Sequence, residues 1–294
     1  MRIVVLGANG QVGSRVLNRL LQDYPPEQVV GCVRAERMAA MHGAAPSNSL
    51  LPFNPFTDNW EKLGKVDVLI NCIGIIRETA GLDFTVAHGD LTARMLQHRA
   101  QIGNPKLIQL SALGADPGSA SKFLSTKGQA DQELLQYPGT VVLRPSIVCT
   151  PGTMLSRKLQ GLQKLCRYMG GFLPFPDTTL QTKLQPVAVE DLTELVSRLC
   201  VLHDHPPMVE VGGSDVYTVR ELLEMVPACK RILPFPQTIF DHLSPLLRKF
   251  FPGLPDKEQQ LLLQQNNVAD TVACEKILGR KMASTSGFWQ RELA

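Results

Sequence analysis

Through the first 150 residues, short apolar runs alternate with stretches whose apolar residues recur every three or four positions. RIVVL (2–6) is a β-branched run that reads as a buried parallel strand. In VGSRVLNRLLQ (12–22), Val12, Val16, Leu17, Leu20 and Leu21 share one helical face. The alternation continues with strands over 28–34, 66–75, 106–112 and 140–148. Helices are predicted around WEKL (60–63), over 83–103 and over 121–136. Strands that alternate with helices cannot be joined by hairpins. They imply βαβ units and an α/β fold, a Rossmann-type doubly wound parallel sheet.

Beyond residue 150 the rhythm loosens. Pro and Gly punctuate GGFLPFPD (170–177), LPFP (233–236) and FPGLP (251–255). Helical patterns fall at 188–202, 219–226 and 238–250, and VEVGG (209–213) reads as a strand. The expected division is a Rossmann-type core over 1–150 and a smaller substrate or partner lobe over 151–294, packed on the core and not independent of it.

Bulk properties exclude several classes. The 294 residues are 44% hydrophobic and carry a net charge of +3, too little to argue for nucleic acid or a charged membrane surface. No apolar run approaches the roughly 20 residues of a spanning helix. MRIVVLG runs into a glycine turn rather than a cleavage site, so no signal peptide is expected. The seven cysteines are scattered without a Cys-x-x-Cys pair, and the six histidines lack ligand spacing. Free thiols, no metal site and a cytoplasmic location follow as expectations.

The chemistry begins at GANGQVG. Gly7, Gly10 and Gly13 stand between the first strand and the first helix, and the turn comprises Gly7, Ala8, Asn9, Gly10, Gln11, Val12 and Gly13. A glycine triplet by itself is only a tight βα turn. After a strand and before a helix, it is the arrangement that brings backbone against a pyrophosphate at the helix N-terminus. The second strand ends in CVRAER, with Arg34 where NAD-selective proteins place an acid. A guanidinium there suits a 2′-phosphate, so NADP(H) is expected over NAD(H), although Glu36 and Arg37 lie close by.

Seven further stretches are more specific: VDVLINCIGI (66–75), LIQLSALGAD (107–116), STKGQAD (125–131), VVLRPSIV (141–148), LQPVAVEDL (184–192), VEVGGSDVYTVREL (209–222) and the segment 246–270. With the glycine turn, and in this order, they resemble an atypical branch of the short-chain dehydrogenase/reductase superfamily. That branch includes the NADPH-binding accessory subunit of respiratory complex I and its bacterial NmrA-like relatives. The resemblance implies that Asn71, Cys72, Ile73 and Gly74 line the nicotinamide-ribose side. It implies that Ser111 orients a substrate, that Lys127 bonds the ribose, and that Arg144 and Pro145 begin the segment closing over the nicotinamide. Gln185, Pro186, Val187 and Asp191 would clasp sheet and lobe. Asn54 stands where relatives often carry an Asp beside the adenine, and His88 where they carry an Asn.

One departure governs the function. The superfamily places a Tyr four residues before its Lys, and here Phe123 precedes Lys127. Carbonyl reduction needs a proton for the developing alkoxide, and Phe has none to give. The sequence therefore leaves two functions open. One is a protein that holds NADP(H) as a resident cofactor in an assembly, interaction or sensing role. The other is an NADPH-dependent reductase of a quinone, alkene or carbonyl whose acid is His88, Lys127 or a water. IFDHLSPLLRKFFPGLP (239–255) is either a surface for a protein partner or membrane-associated complex, or cover for the lobe's own core.

Overall fold

The computed structural model describes residues 1–41, 46–79, 81–238, 242 and 257–293. The chain opens with β1 (Ile3–Leu6), α1 (Gln11–Asp23), β2 (Val29–Val33), β3 (Leu50–Pro52) and β4 (Val68–Asn71). It continues with α2 (Leu91–His98), β5 (Lys106–Leu110), α3 (Lys122–Leu134) and β6 (Thr140–Pro145). There follow β7 (Val148–Cys149), α4 (Met154–Tyr168), β8 (Phe172–Pro176), β9 (Lys183–Leu184) and β10 (Val187–Ala188). The last elements are α5 (Val189–Leu199), β11 (Met208–Val211), β12 (Tyr217–Thr218), α6 (Val219–Glu224), β13 (Arg231–Phe235), α7 (Lys257–Leu263), α8 (Val272–Leu278) and α9 (Ser286–Leu293).

Seven strands form one parallel sheet in the order β11-β6-β5-β4-β1-β2-β3. The α/β, Rossmann-type doubly wound sheet read from the periodicity is therefore the fold observed. β1 is buried at all four positions and β2 at all five, as strands covered on both faces must be. α1 buries Gly13, Val16, Leu17 and Leu20, the stripe its spacing marked.

The chain divides into two compact units, and the division is not the contiguous one expected. The first comprises Met1–Pro145, Val189–Val211 and Asp270–Lys281. The second comprises Ser146–Ala188, Gly212–Ala269 and Met282–Ala294. Residues 189–211 and 270–281 thus belong with the core because their partners are there. β11 extends the sheet beside β6. α5 meets α1 through Tyr24, whose hydroxyl donates to the Ser197 carbonyl at 2.8 Å. Arg280 of the first unit pairs with the buried Asp191 at 2.8 Å. The first unit's core includes Val4, Leu6, Trp60, Leu69, Leu91 and Met95. The second unit's includes Leu162, Leu165, Phe175, Leu222 and Trp289.

Three further differences have physical reasons. WEKL folds as one 3-10 turn rather than an α-helix, closed by Gly64 at φ +66°, where a side chain would be strained. The proline-rich GGFLPFPD and LPFP are strands, not breaks: β8 and β13 pair in parallel with Phe172 opposite Arg231. A two-stranded sheet consists of edges, where prolines are tolerated. The stretch 83–103 begins as a π-helix over Thr85–Asp90 before α2. Apart from His242, the proposed partner surface 239–255 lies outside the described residues.

Candidate functional site: the crevice between β1 and β4

Chain direction across the sheet reverses between β1 and β4, since β2 and β3 extend to one side and β5 and β6 to the other. In such sheets ligands enter the crevice beyond the carboxyl ends of the two central strands. The GANGQVG turn follows β1 and the Cys72–Gly74 loop follows β4, so both border that crevice.

The glycine turn is built by close approach. Gly7 has φ +73°, and its carbonyl accepts from the Gly10 N–H at 2.9 Å. A Cβ on Gly13 would lie 2.2 Å from that same carbonyl oxygen and 3.2 Å from the Cys72 Cβ. Asn9, Gly10 and Gln11 reach the surface, while Ala8 is fully buried. No side chain caps the N-terminus of α1 and its first turn has no acid. An uncapped helix start behind a turn with no side chain at Gly10 fits the diphosphate of a dinucleotide.

Across the crevice, Asn71 is buried and spends its amide on structure. Its Nδ2 donates to Gln109 Oε1 at 2.9 Å, and its Oδ1 accepts from the Ile73 N–H at 3.0 Å. The Cys72–Gly74 loop is thereby fixed in shape. Lys127 comes to this loop from α3: a Cβ on Gly74 would sit 3.2 Å from its Nζ. That ammonium is buried and donates to the Leu110 carbonyl at 2.9 Å. Burial pushes Lys127 down to about 8, while Asp131 and then Cys72 pull it back up.

Asp131 is the residue that sequence reasoning missed. Its side chain is fully buried, and its Oδ2 accepts from Ser111 Oγ at 2.8 Å and Arg144 Nε at 2.9 Å. One carboxylate therefore gathers three residues expected at the site, Ser111 and Arg144 by contact and Lys127 by charge. Burial raises the Asp131 carboxyl, opposed by its bonds to Ser111 and Arg144. Pro145 ends β6, and its carbonyl accepts from the Leu113 N–H at 2.9 Å. The signal available was Lys127 and Asp131 at i and i+4 on one helix. It carried no weight without knowing that β5 and β6 bring Ser111 and Arg144 to the same face.

Phe123 occupies an aromatic cluster. Its ring lies 5.8 Å from that of Phe84 and 5.7 Å from that of His88, both edge-on. Thr126 Oγ1 donates to the Lys122 carbonyl at 2.8 Å, leaving its lone pairs to His88 Nδ1 at 2.9 Å. His88 is thus held through Nδ1, while its Nε2 is buried without a partner among the described residues. Burial, then the charge of Lys127, pushes His88 down to about 3.

The unfolded histidine titrates near 6.5, so between these values the unfolded chain holds the extra proton. Stability should fall by roughly 1.4 kcal/mol per unit as pH drops from 6.5 towards 3. Denaturant melts of His88→Phe should lack this acid slope, and an unchanged slope would refute it.

Arg34 stands apart from the other expected residues. It lies beyond the tip of β2, half exposed, with Nε 3.4 Å from Glu36 Oε1. Asn54 turns inward on its own loop, accepting from the Phe56 N–H at 3.1 Å. Gln185 and Asp191 serve separate units: the Gln185 amide donates to the Gly213 carbonyl at 2.7 Å within the second. Among the described residues no cluster of metal ligands occurs, and no helix is long and apolar enough to cross a membrane.

No family model matches the chain. It is 28% identical over 235 residues to NADH dehydrogenase (ubiquinone) 1 alpha subcomplex subunit 9, mitochondrial, of Arabidopsis thaliana. The match covers 76% of this chain but only 56% of that subunit, so the chain spans little more than half of its relative's length. In fold it is similar to the UDP-glucuronic acid 4-epimerase of Bacillus cereus, solved with UDP-glucuronic acid and NAD. The TM-score is 0.69 at 17% identity, over 100% of this chain and 98% of that one. It is also similar to RMD of Pseudomonas aeruginosa, complexed with NADPH, with TM-score 0.62 at 15% identity over 100% and 97%. By sequence the chain is similar to the complex I subunit, and its fold is the one found in these NAD- and NADPH-bound proteins.

Proposed function

We propose that the chain holds NADP(H) as a resident cofactor and works in an assembly, interaction or sensing role rather than by turnover. The observation that carries this reading is Phe123, packed against Phe84 and His88, beside an intact glycine turn and a buried Lys127. Gly7 to Gly13 and the start of α1 would hold the diphosphate. Asn71 to Gly74 and Lys127 would face the nicotinamide ribose, with Ser111, Arg144 and Pro145 behind them.

A nicotinamide, when bound, supplies hydride chemistry; Phe123, at the usual position of the acid, has no proton to give. His88 is neutral at pH 7, and its Nδ1 is bonded to Thr126. One observation favours the second reading, a reductase of a quinone, alkene or carbonyl: Lys127, pushed down to about 8, is closer to neutral-pH proton exchange than an ordinary lysine.

The preference for NADP(H) over NAD(H) rests on Arg34, since one fold relative holds NAD and the other NADPH. Its pairing with Glu36 is a surface ion pair, worth about 1 kcal/mol or less, and readily exchanged for a 2′-phosphate. A location in the cytoplasm, peripheral to a membrane complex reached through 239–255, is part of the same proposal. Similarity to a mitochondrial complex I subunit supports the association with a membrane complex and not the cytoplasmic placement.

Protein purified without added nucleotide is expected to retain NADPH and to leave it unoxidised by quinones, enals and aldehydes. Sustained turnover would overturn the resident-cofactor reading in favour of the reductase. Arg34→Ala should weaken NADPH by about tenfold and leave NADH unchanged, by titration of dinucleotide fluorescence.

A further inference from the structure

In the second unit, α4 leads into β8, and the turn after α6 leads into β13. The two strands pair in parallel from their first residues, Phe172 opposite Arg231. The Gly171 carbonyl accepts from the N–H groups of both Lys230 and Arg231, at 2.8 and 3.1 Å. A cysteine precedes each strand by a few residues, Cys166 near the end of α4 and Cys229 before β13. Gly171, bonded to the Cys166 carbonyl and to the Lys230 N–H, therefore ties the backbone beside the two cysteines together. Their side chains are neighbours in the unit's interior. Cys166 is fully buried in the unit's core, and Cys229 packs against that core half-buried. The backbone at both ends is pinned: the Cys166 carbonyl accepts from the Gly171 N–H at 2.7 Å, and the Cys229 N–H donates to the Val226 carbonyl at 2.8 Å.

We propose that Cys166 and Cys229 are a modification site, a thiol pair that a peroxide converts to a disulfide tying α4 to the start of β13. The half-buried Cys229 sulfur attacks one peroxide oxygen. The O–O bond breaks, water leaves, and Cys229 becomes a sulfenic acid. The Cys166 sulfur then attacks the Cys229 sulfur. An S–S bond forms, the S–O bond breaks, and the thiol proton leaves with the hydroxyl as a second water. Two thiols and one hydrogen peroxide thus give one disulfide and two waters. Burial pushes the Cys166 thiol up to about 12 and raises that of Cys229, so both are protonated at neutral pH. Oxidation is slow, and the pair answers sustained rather than trace peroxide.

The test exposes the full chain to hydrogen peroxide, blocks remaining thiols and maps cross-linked peptides under non-reducing conditions. A Cys166–Cys229 peptide is expected as the main product. Cys229→Ser, the half-buried and milder change, should abolish it without lowering the melting temperature by more than about 3 °C. The link closes a long loop without moving the pinned backbone, so the oxidised chain should melt about 5 °C or more above the reduced one. Sulfinic acid on Cys229, or links to other cysteines in equal yield, would overturn the proposal. So would a linked chain that melts no higher than the reduced one, since the geometry would then not be pre-set.

Discussion

Gly13→Ala is expected to abolish dinucleotide binding, by at least 100-fold in affinity, and to destabilise the free protein. The added methyl carbon would stand 2.2 Å from the Gly7 carbonyl oxygen and 2.9 Å from the Gly7 carbonyl carbon. Both are backbone atoms, so no side chain can swing aside. Relief requires moving the turn or the start of α1, at a cost of about 1–3 kcal/mol or more. The measurement is a thermal melt with and without NADPH: the variant should melt lower and lose the rise that ligand gives by mass action. Gly10→Ala separates packing from binding. There the new carbon meets the Gly7 carbonyl oxygen at 3.2 Å and nothing else within 4 Å. Its free protein should melt nearly as wild type while NADPH binding is lost, because the space it fills is the space a phosphate would take. Wild-type NADPH affinity in Gly10→Ala would refute the assignment of this turn.

Asp131→Ala is expected to cost about 3–5 kcal/mol in denaturant unfolding, the usual effect of removing one member of a buried charge pair. The Arg144 side chain is only 16% exposed and would keep its charge without the carboxylate 2.9 Å away. Ser111 would lose its acceptor, and Lys127 an attraction that opposes its burial. Combining Asp131→Leu with Arg144→Met should recover most of the loss, because the cost lies in the stranded charge rather than in the carboxylate itself. A single-variant loss below about 1 kcal/mol would show that water reaches Arg144 and that this cluster is not sealed.

These two sites differ in how far they could be read beforehand. The glycine turn was legible because its contacts are local: strand, turn and helix are consecutive, so spacing carries the geometry. Asp131 was not, because what it does depends on Ser111 and Arg144, 20 and 13 positions away. Only the pairing of β5 with β6 puts those two beside α3. The role of Phe123 was half legible. Its identity removed the usual acid, but that His88 is buried and bonded to Thr126 is something no spacing shows.

By itself the sequence determined six of the seven strands of the sheet, the helices α1, α2 and α3 between them, and the glycine turn after β1, while β3 went unread. Periodicity and glycine placement are imposed by nearest neighbours along the chain. The tertiary structure alone decided that β1 and β4 flank the crevice, and that residues 189–211 and 270–281 return to the core. It also decided that two proline-rich stretches pair as strands and bring Cys166 to Cys229. Each of these depends on which distant segments share buried surface, and local patterns hold no record of that.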